Sequence, residues 1–146
     1  MKVQYKRKRH TTVALLSGVK GHKSVKVGFL ASKANQQDVD KAVYNNYGTS
    51  TTPPRPFFDN AMTDNKKKYI NAMRVSAPKI LRGETNVSTV TSKLGAMAQG
   101  DIQREITDLR TPPNSESTIK AKGTSNPLID TGDMRRAVSW GYNESS

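Results

Sequence analysis

From Val87 to Leu109, the residues Val87, Val90, Leu94, Met97, Ala98, Ile102, Ile106 and Leu109 return mostly at steps of three and four. A stripe of this length fits one face of an α-helix and no β-strand. Asn86 or Ser88 offers an oxygen to cap its start, and Pro112-Pro113 closes it off by lacking amide donors. The spacing therefore predicts the main core helix at 86–110. Less regular spacing precedes it: Phe58, Ala61 or Met62, Tyr69, Ile70, Met73, Ala77, Ile80 and Leu81 predict a helix over 57–82, with Lys66-Lys67-Lys68 largely off the stripe. Pro78 is expected to kink or break it, because proline removes a helical hydrogen bond and its ring crowds the preceding turn.

The flanks read differently. Val25, Val27 and Phe29 alternate with Lys26 and Gly28, which is the period of a half-buried strand. Val138, Trp140 and Tyr142 predict a second strand from the far end of the chain. Between Asp38 and Gly48 lies a short helix, with Asp38 as its cap, Gly48 as its stop, and Val39, Ala42 and Val43 facing inward with Tyr47 close by. Ser115 and Gly123 bracket one or two further helical turns, and another short helix follows Gly132. The expected fold is α+β: a small, mostly antiparallel sheet packed against two longer helices, with extended loops and a basic N-terminal arm. One domain spans 1–146, divided into the arm (1–12) and the α+β body (13–142).

Composition narrows the chemistry. At 34% apolar, the chain has little material for a core, so much of it is expected on surfaces, in arms or at contacts with other subunits. It has no cysteine, which removes disulfides and thiolate metal sites, and His10 and His22 do not build a zinc site by themselves. The apolar run Val13 to Leu16 is too short to span a membrane, and without a route to a glycosylating compartment the sequons at Asn86 and Asn143 carry little meaning. Net charge is +12, and residues 1–37 hold nine Lys/Arg and no acid. Such an arm suits phosphates, an acidic partner or an anionic surface, and the plainest alternative is a solvated, disordered terminus; Lys6, Arg7, Lys8 and Arg9 are its densest cluster.

Two motifs invite a functional reading. Asp130-Thr131-Gly132 is the tripeptide that carries the carboxylate of an aspartic protease. That chemistry needs two carboxylates sharing a proton in a dry pocket, yet only fourteen residues follow Gly132, too few to build the flap and remaining strands. The structural alternative makes Asp130 or Thr131 a cap for the helix after Gly132, with Asp133 completing a box if Asp130 is the cap. Pro53-Pro54-Arg55-Pro56 has the PxxP form, but Phe57-Phe58 beside it points to docking in this protein's own fold or in a neighbouring subunit. The glycines at 18, 21 and 28 do not form a phosphate loop, and Asp38 with Asp40 lack a completing ligand set. At 6% aromatic residues, a stacking platform for single strands is not expected.

Three stretches in order, VKVGFLA (25–31), VYNNYGTSTTPPRPFFDNAM (43–62) and LGAMAQGDIQREITDLRTPPNSESTIKAKGTSNPLIDTGDMRRAVSW (94–140), resemble the tail-completion or neck proteins of tailed bacteriophages, a group also labelled virion morphogenesis or tail-component proteins. The likeness runs over 25–142 and accounts for the late Asp-Thr-Gly. Where the family often has an acidic residue before its Tyr-Gly-Thr element, this chain has Asn45-Asn46. The resemblance implies a non-enzymatic virion part without cofactor or metal, several copies forming a ring at the head–tail junction and letting DNA pass. Its partners would be further copies of itself, head connector or adaptor proteins, and tail terminator or tail tube proteins. Assembly would take place in the bacterial host cytoplasm, without membrane contact. In that setting Pro53, Pro54, Arg55, Pro56, Phe57 and Phe58 are expected at a subunit interface, Asp130, Thr131 and Gly132 at a structural turn, and Lys6, Arg7, Lys8 and Arg9 against phosphates. The alternative is a small basic protein that binds DNA without reading its sequence.

Overall fold

The computed structural model describes residues 18–143. Its elements are β1 (Val25–Gly28), α1 (Gln36–Tyr47), α2 (Phe57–Leu81), α3 (Val87–Asp108), α4 (Glu116–Lys122), α5 (Asp133–Ala137) and β2 (Ser139–Tyr142), an α+β arrangement. Among the described residues the sheet has two strands, those that the alternation near each end of the chain predicts. They pair antiparallel with Val25 opposite Tyr142 and Val27 opposite Trp140, so the two ends of the described chain close on each other. The basic arm lies outside the described residues.

The helices α2 and α3 form a hairpin, and α3 also carries the sheet on its other side. Asn86 caps α3 by accepting from the Thr89 amide at 2.9 Å. Side chains Phe57, Ile102, Ile106 and Val138 are fully buried, joined by Ala42, Ala61, Leu109, Leu128 and Met134. The core thus sits where the start of α2 and the end of α3 meet α1, α5 and the sheet. Next to this core a polar contact fastens the two helices of the hairpin. Asp101 of α3 is buried and accepts from Lys68 Nζ at 2.6 Å and from Tyr69 Oη at 2.7 Å.

Burial, together with the hydrogen bond and charge of Asp101, raises the Tyr69 pKa well above its ordinary value of 10.0. The sign follows directly: above pH 10 the unfolded chain releases a tyrosine proton that the folded chain keeps, so folding stability falls as pH rises through that range. In Tyr69→Phe this part of the alkaline loss is expected to disappear, leaving a flatter stability curve above pH 10 in urea titrations across pH. An unchanged slope would separate Tyr69 from the loss.

Several expectations need correction. Asn35, not Asp38, caps α1; Asp38 is the box partner three residues on, its carboxylate accepting from the Asn35 amide at 3.1 Å. Of the residues expected inward on α1, Ala42 is buried and Val39 half-buried, whereas Val43 and Tyr47 are exposed. Pro78 does not break α2, which continues to Leu81. Both Pro78 and Arg74 are exposed, so water can serve the Arg74 carbonyl that proline leaves without an amide. Finally, Ile70, Met73 and Leu81 of the supposed core stripe face water.

Candidate functional site

Three loops converge on one side of the core. The first follows α1, whose C-terminal Gly48 donates to the Tyr44 carbonyl, and folds back through the 2.8 Å bond from the Thr49 amide to the Thr52 carbonyl. It leads through the three prolines into α2. The second joins α3 to α4, and the third joins α4 to α5. Between them lies an open cleft of about 600 Å³ lined by residues of α1, all three loops and α4.

Arg55 holds two of these loops together. Its backbone amide donates to Asn45 at 2.7 Å. Its guanidinium donates to the Pro112 carbonyl at 2.8 Å, to the Pro113 carbonyl at 3.2 Å and to Asn114 Oδ1 at 3.1 Å. The residue is 3% exposed, and this burial lowers its pKa from the ordinary value. Planar, forked donors suit an array of separate carbonyl acceptors better than a single ammonium does.

Asn126 is the counterpart in the third loop. Its Oδ1 accepts from the Leu128 and Ile129 amides, at 3.0 and 3.2 Å, while its Nδ2 donates to the Thr107 carbonyl of α3 at 2.8 Å. One buried amide side chain therefore shapes the turn and ties it to the main helix.

The start of α2 has no side-chain cap from its own Pro56. Asn46, buried at the end of α1, supplies one: its Oδ1 accepts from the Phe58 amide at 3.1 Å and its Nδ2 donates to Asp59 at 2.9 Å. An amide is needed to serve both partners, since a carboxylate in its place would meet the Asp59 carboxylate. The Asn at position 46 thus has a local physical reason.

The Asp-Thr-Gly segment forms the cleft's edge. Gly132, at φ +81°, is the N-cap of α5, and Asp130 makes no capping bond; the expected Asp130–Asp133 box is not formed. Thr131 instead accepts from the Asp133 amide at 3.4 Å, while its hydroxyl donates to the Asp133 carboxylate, which Arg136 also contacts. Those partners hold the Asp133 pKa below the ordinary carboxylate value. Asp130 is exposed rather than enclosed in the dry pocket that protease chemistry requires. It faces Lys122, whose pKa is lowered chiefly by burial, with Asp130 opposing that shift and Arg55 adding to it.

Of the segment expected at a subunit interface, Arg55 and Phe57 are buried inside this chain and Phe58 is half-buried against its core. Arg55 and Phe57 therefore have almost no surface to offer a neighbour, and substituting them disturbs this chain's own folding first. Pro53, Pro54 and Pro56 remain exposed. Lys6, Arg7, Lys8 and Arg9 lie outside the described residues. The fastening roles of Asn126 and Asn46 were missed in the sequence, although an Asn immediately before Pro-Leu is a turn-forming signal that was available.

Among the described residues no group of His, Asp or Glu is arranged to hold a metal ion, and no helix is long and apolar enough to cross a membrane. Comparison with protein-family models, with curated proteins and with solved structures gave no match.

Proposed function

We propose that this chain is a structural subunit of a tailed-bacteriophage virion, placed in the neck, where several copies form a ring that joins or completes the tail and lets DNA pass. The observation that carries the reading is the amount of large apolar surface left in water by a chain with so little to spare. Val43, Tyr44 and Tyr47 on α1 are exposed, as are Ile70, Met73, Val75 and Leu81 on α2. A monomer gains nothing from these positions, whereas a subunit completed by its neighbours buries them.

Two further points support it. The stretches that carry the family resemblance, 43–62 and 94–140, contain the residues that fasten the cleft: Asn46, Arg55, Asn114 and Asn126. The span from Asn65 to Gly83 also carries six Lys/Arg and no acid; Lys68 pairs with Asp101 and Arg82 with Glu84, and the other four suit phosphates without base reading.

Gold-labelled antibody raised to the purified chain tests the assignment on particles from the source lysate. Label confined to the head–tail junction is expected. Intact and detergent-opened particles that both stay unlabelled would overturn it.

A further inference from the structure

Helix α2 has two apolar faces. Phe57 and Ala61 turn into the core, and Tyr69 turns to Asp101 of α3. Ile70, Met73, Ala77 and Leu81 form a second stripe at steps of three, four and four, the recurrence that keeps side chains on one side of a helix. All four are exposed, Leu81 by 57%.

Elsewhere on the chain is a receptacle of matching chemistry. Phe29, Val43, Tyr47 and Phe58 border a cavity of about 200 Å³, together with the buried Ala42 and Phe57. An apolar cavity of about 150 Å³ takes a benzene-sized group, so this one has room for a single large aliphatic side chain. The charges nearest it are acidic: Asp40 lies one turn before Val43 on the same helix and Asp59 is bonded to Asn46, which also lines the cavity, whereas Lys41 of that helix lines the other cleft. The stripe's surroundings are basic, with Lys66, Lys67, Arg74 and Lys79 between residues 65 and 83, while Lys68 and Arg82 are taken up by Asp101 and Glu84.

We infer that the exposed stripe of α2 on one copy docks into the apolar cavity beside α1 on a second copy of this chain. The inference rests on the ring-subunit reading and names the two faces that would meet. Charge selects this pairing over stripe against stripe, which would bring two basic surfaces together, while stripe against cavity sets basic beside acidic. Because the faces differ, the contact is head-to-tail, the kind of interface that generates a ring when its rotation closes.

A mixing experiment tests it. One variant carries Ile70→Glu with Leu81→Glu, and the other Val43→Glu with Tyr47→Glu. All four positions are exposed, and circular dichroism melts check that each variant folds. In sedimentation velocity the unsubstituted chain is expected to assemble with rising concentration, and each variant alone to stay monomeric. An equimolar mixture is expected to form dimers and stop there, because it holds one intact pair of faces.

A mixture that remains monomeric overturns the inference, as does an unsubstituted chain that is still monomeric at about 1 mM, where even weak contacts populate. Loss of assembly in the stripe variant alone would show a stripe-to-stripe contact and likewise overturn it. Immunolabelling keeps the two readings apart. Label at the junction with no mixed dimer removes this contact and leaves the virion assignment; a mixed dimer without label does the reverse.

Discussion

Replacing Arg55 with alanine is expected to lower folding stability by about 3 kcal/mol, because hydrogen bonds to a charged donor contribute about 1.5–3 kcal/mol each and the stem is packed as well. The guanidinium reaches two backbone carbonyls and an amide oxygen of the loop before α4. Without it those acceptors lose their partner, and the prolines of both loops offer no replacement amides. For a chain of this size the melting temperature should fall by roughly 6–12 °C. Arg55→Lys keeps a charge but not the fork, so it should lose about half as much. Urea and thermal melts of the three proteins measure this. Identical melting of Arg55→Ala and the unsubstituted chain would refute the internal role.

That role was hidden in the sequence for a physical reason. An arginine between prolines reads as exposed because charged side chains are seldom buried, and the acceptors that bury it lie 57 to 59 residues away. Local signals fared better. The α3 stripe, its Asn86 cap, the Gly48 stop and the Ser115–Gly123 bracket were legible, because each depends on neighbours a few residues apart. The first helix shows the limit of that information. Asn35 and Asp38 make reciprocal bonds, and a reading that starts at the acid takes the box partner for the cap. On α2 the periodicity registered apolar positions without revealing that they divide between two faces, only one of which packs inside this chain. The candidate site was legible as motifs and illegible as a place. Nothing local says that the proline loop, the Pro-Pro-Asn loop and Asp-Thr-Gly border one cleft.

Gly95 supplies the second large effect, and it had no place in the apolar stripe. A Cβ built there would lie 2.7 Å from two carbons of the Trp140 indole and 2.9 Å from a third. The glycine is therefore the space in which the sheet meets α3. Trp140 has little freedom to yield, since it pairs with Val27 across the sheet and meets Tyr142 edge-on at 5.5 Å. Tyr142 is in turn stacked on His22 at 4.0 Å and donates to the Ser88 carbonyl at 3.2 Å. Gly95→Val should consequently destabilise the fold by about 3 kcal/mol, the upper end of what overpacking usually costs.

Gly100 on the same helix is the control. Nothing lies within 4 Å of a Cβ placed there, so Gly100→Ala should stabilise by up to about 1 kcal/mol through helix propensity alone. Opposite signs from two glycines in one helix would attribute the Gly95 effect to the indole, not to the helix. Trp140 is the chain's one tryptophan, so its fluorescence reports on the contact directly. In Gly95→Val its emission should shift to the red as the ring is forced toward water, whereas in Gly100→Ala it should not move. Equal melting of Gly95→Val and the unsubstituted chain, with unchanged emission, would mean that the sheet is not packed on α3 through this residue.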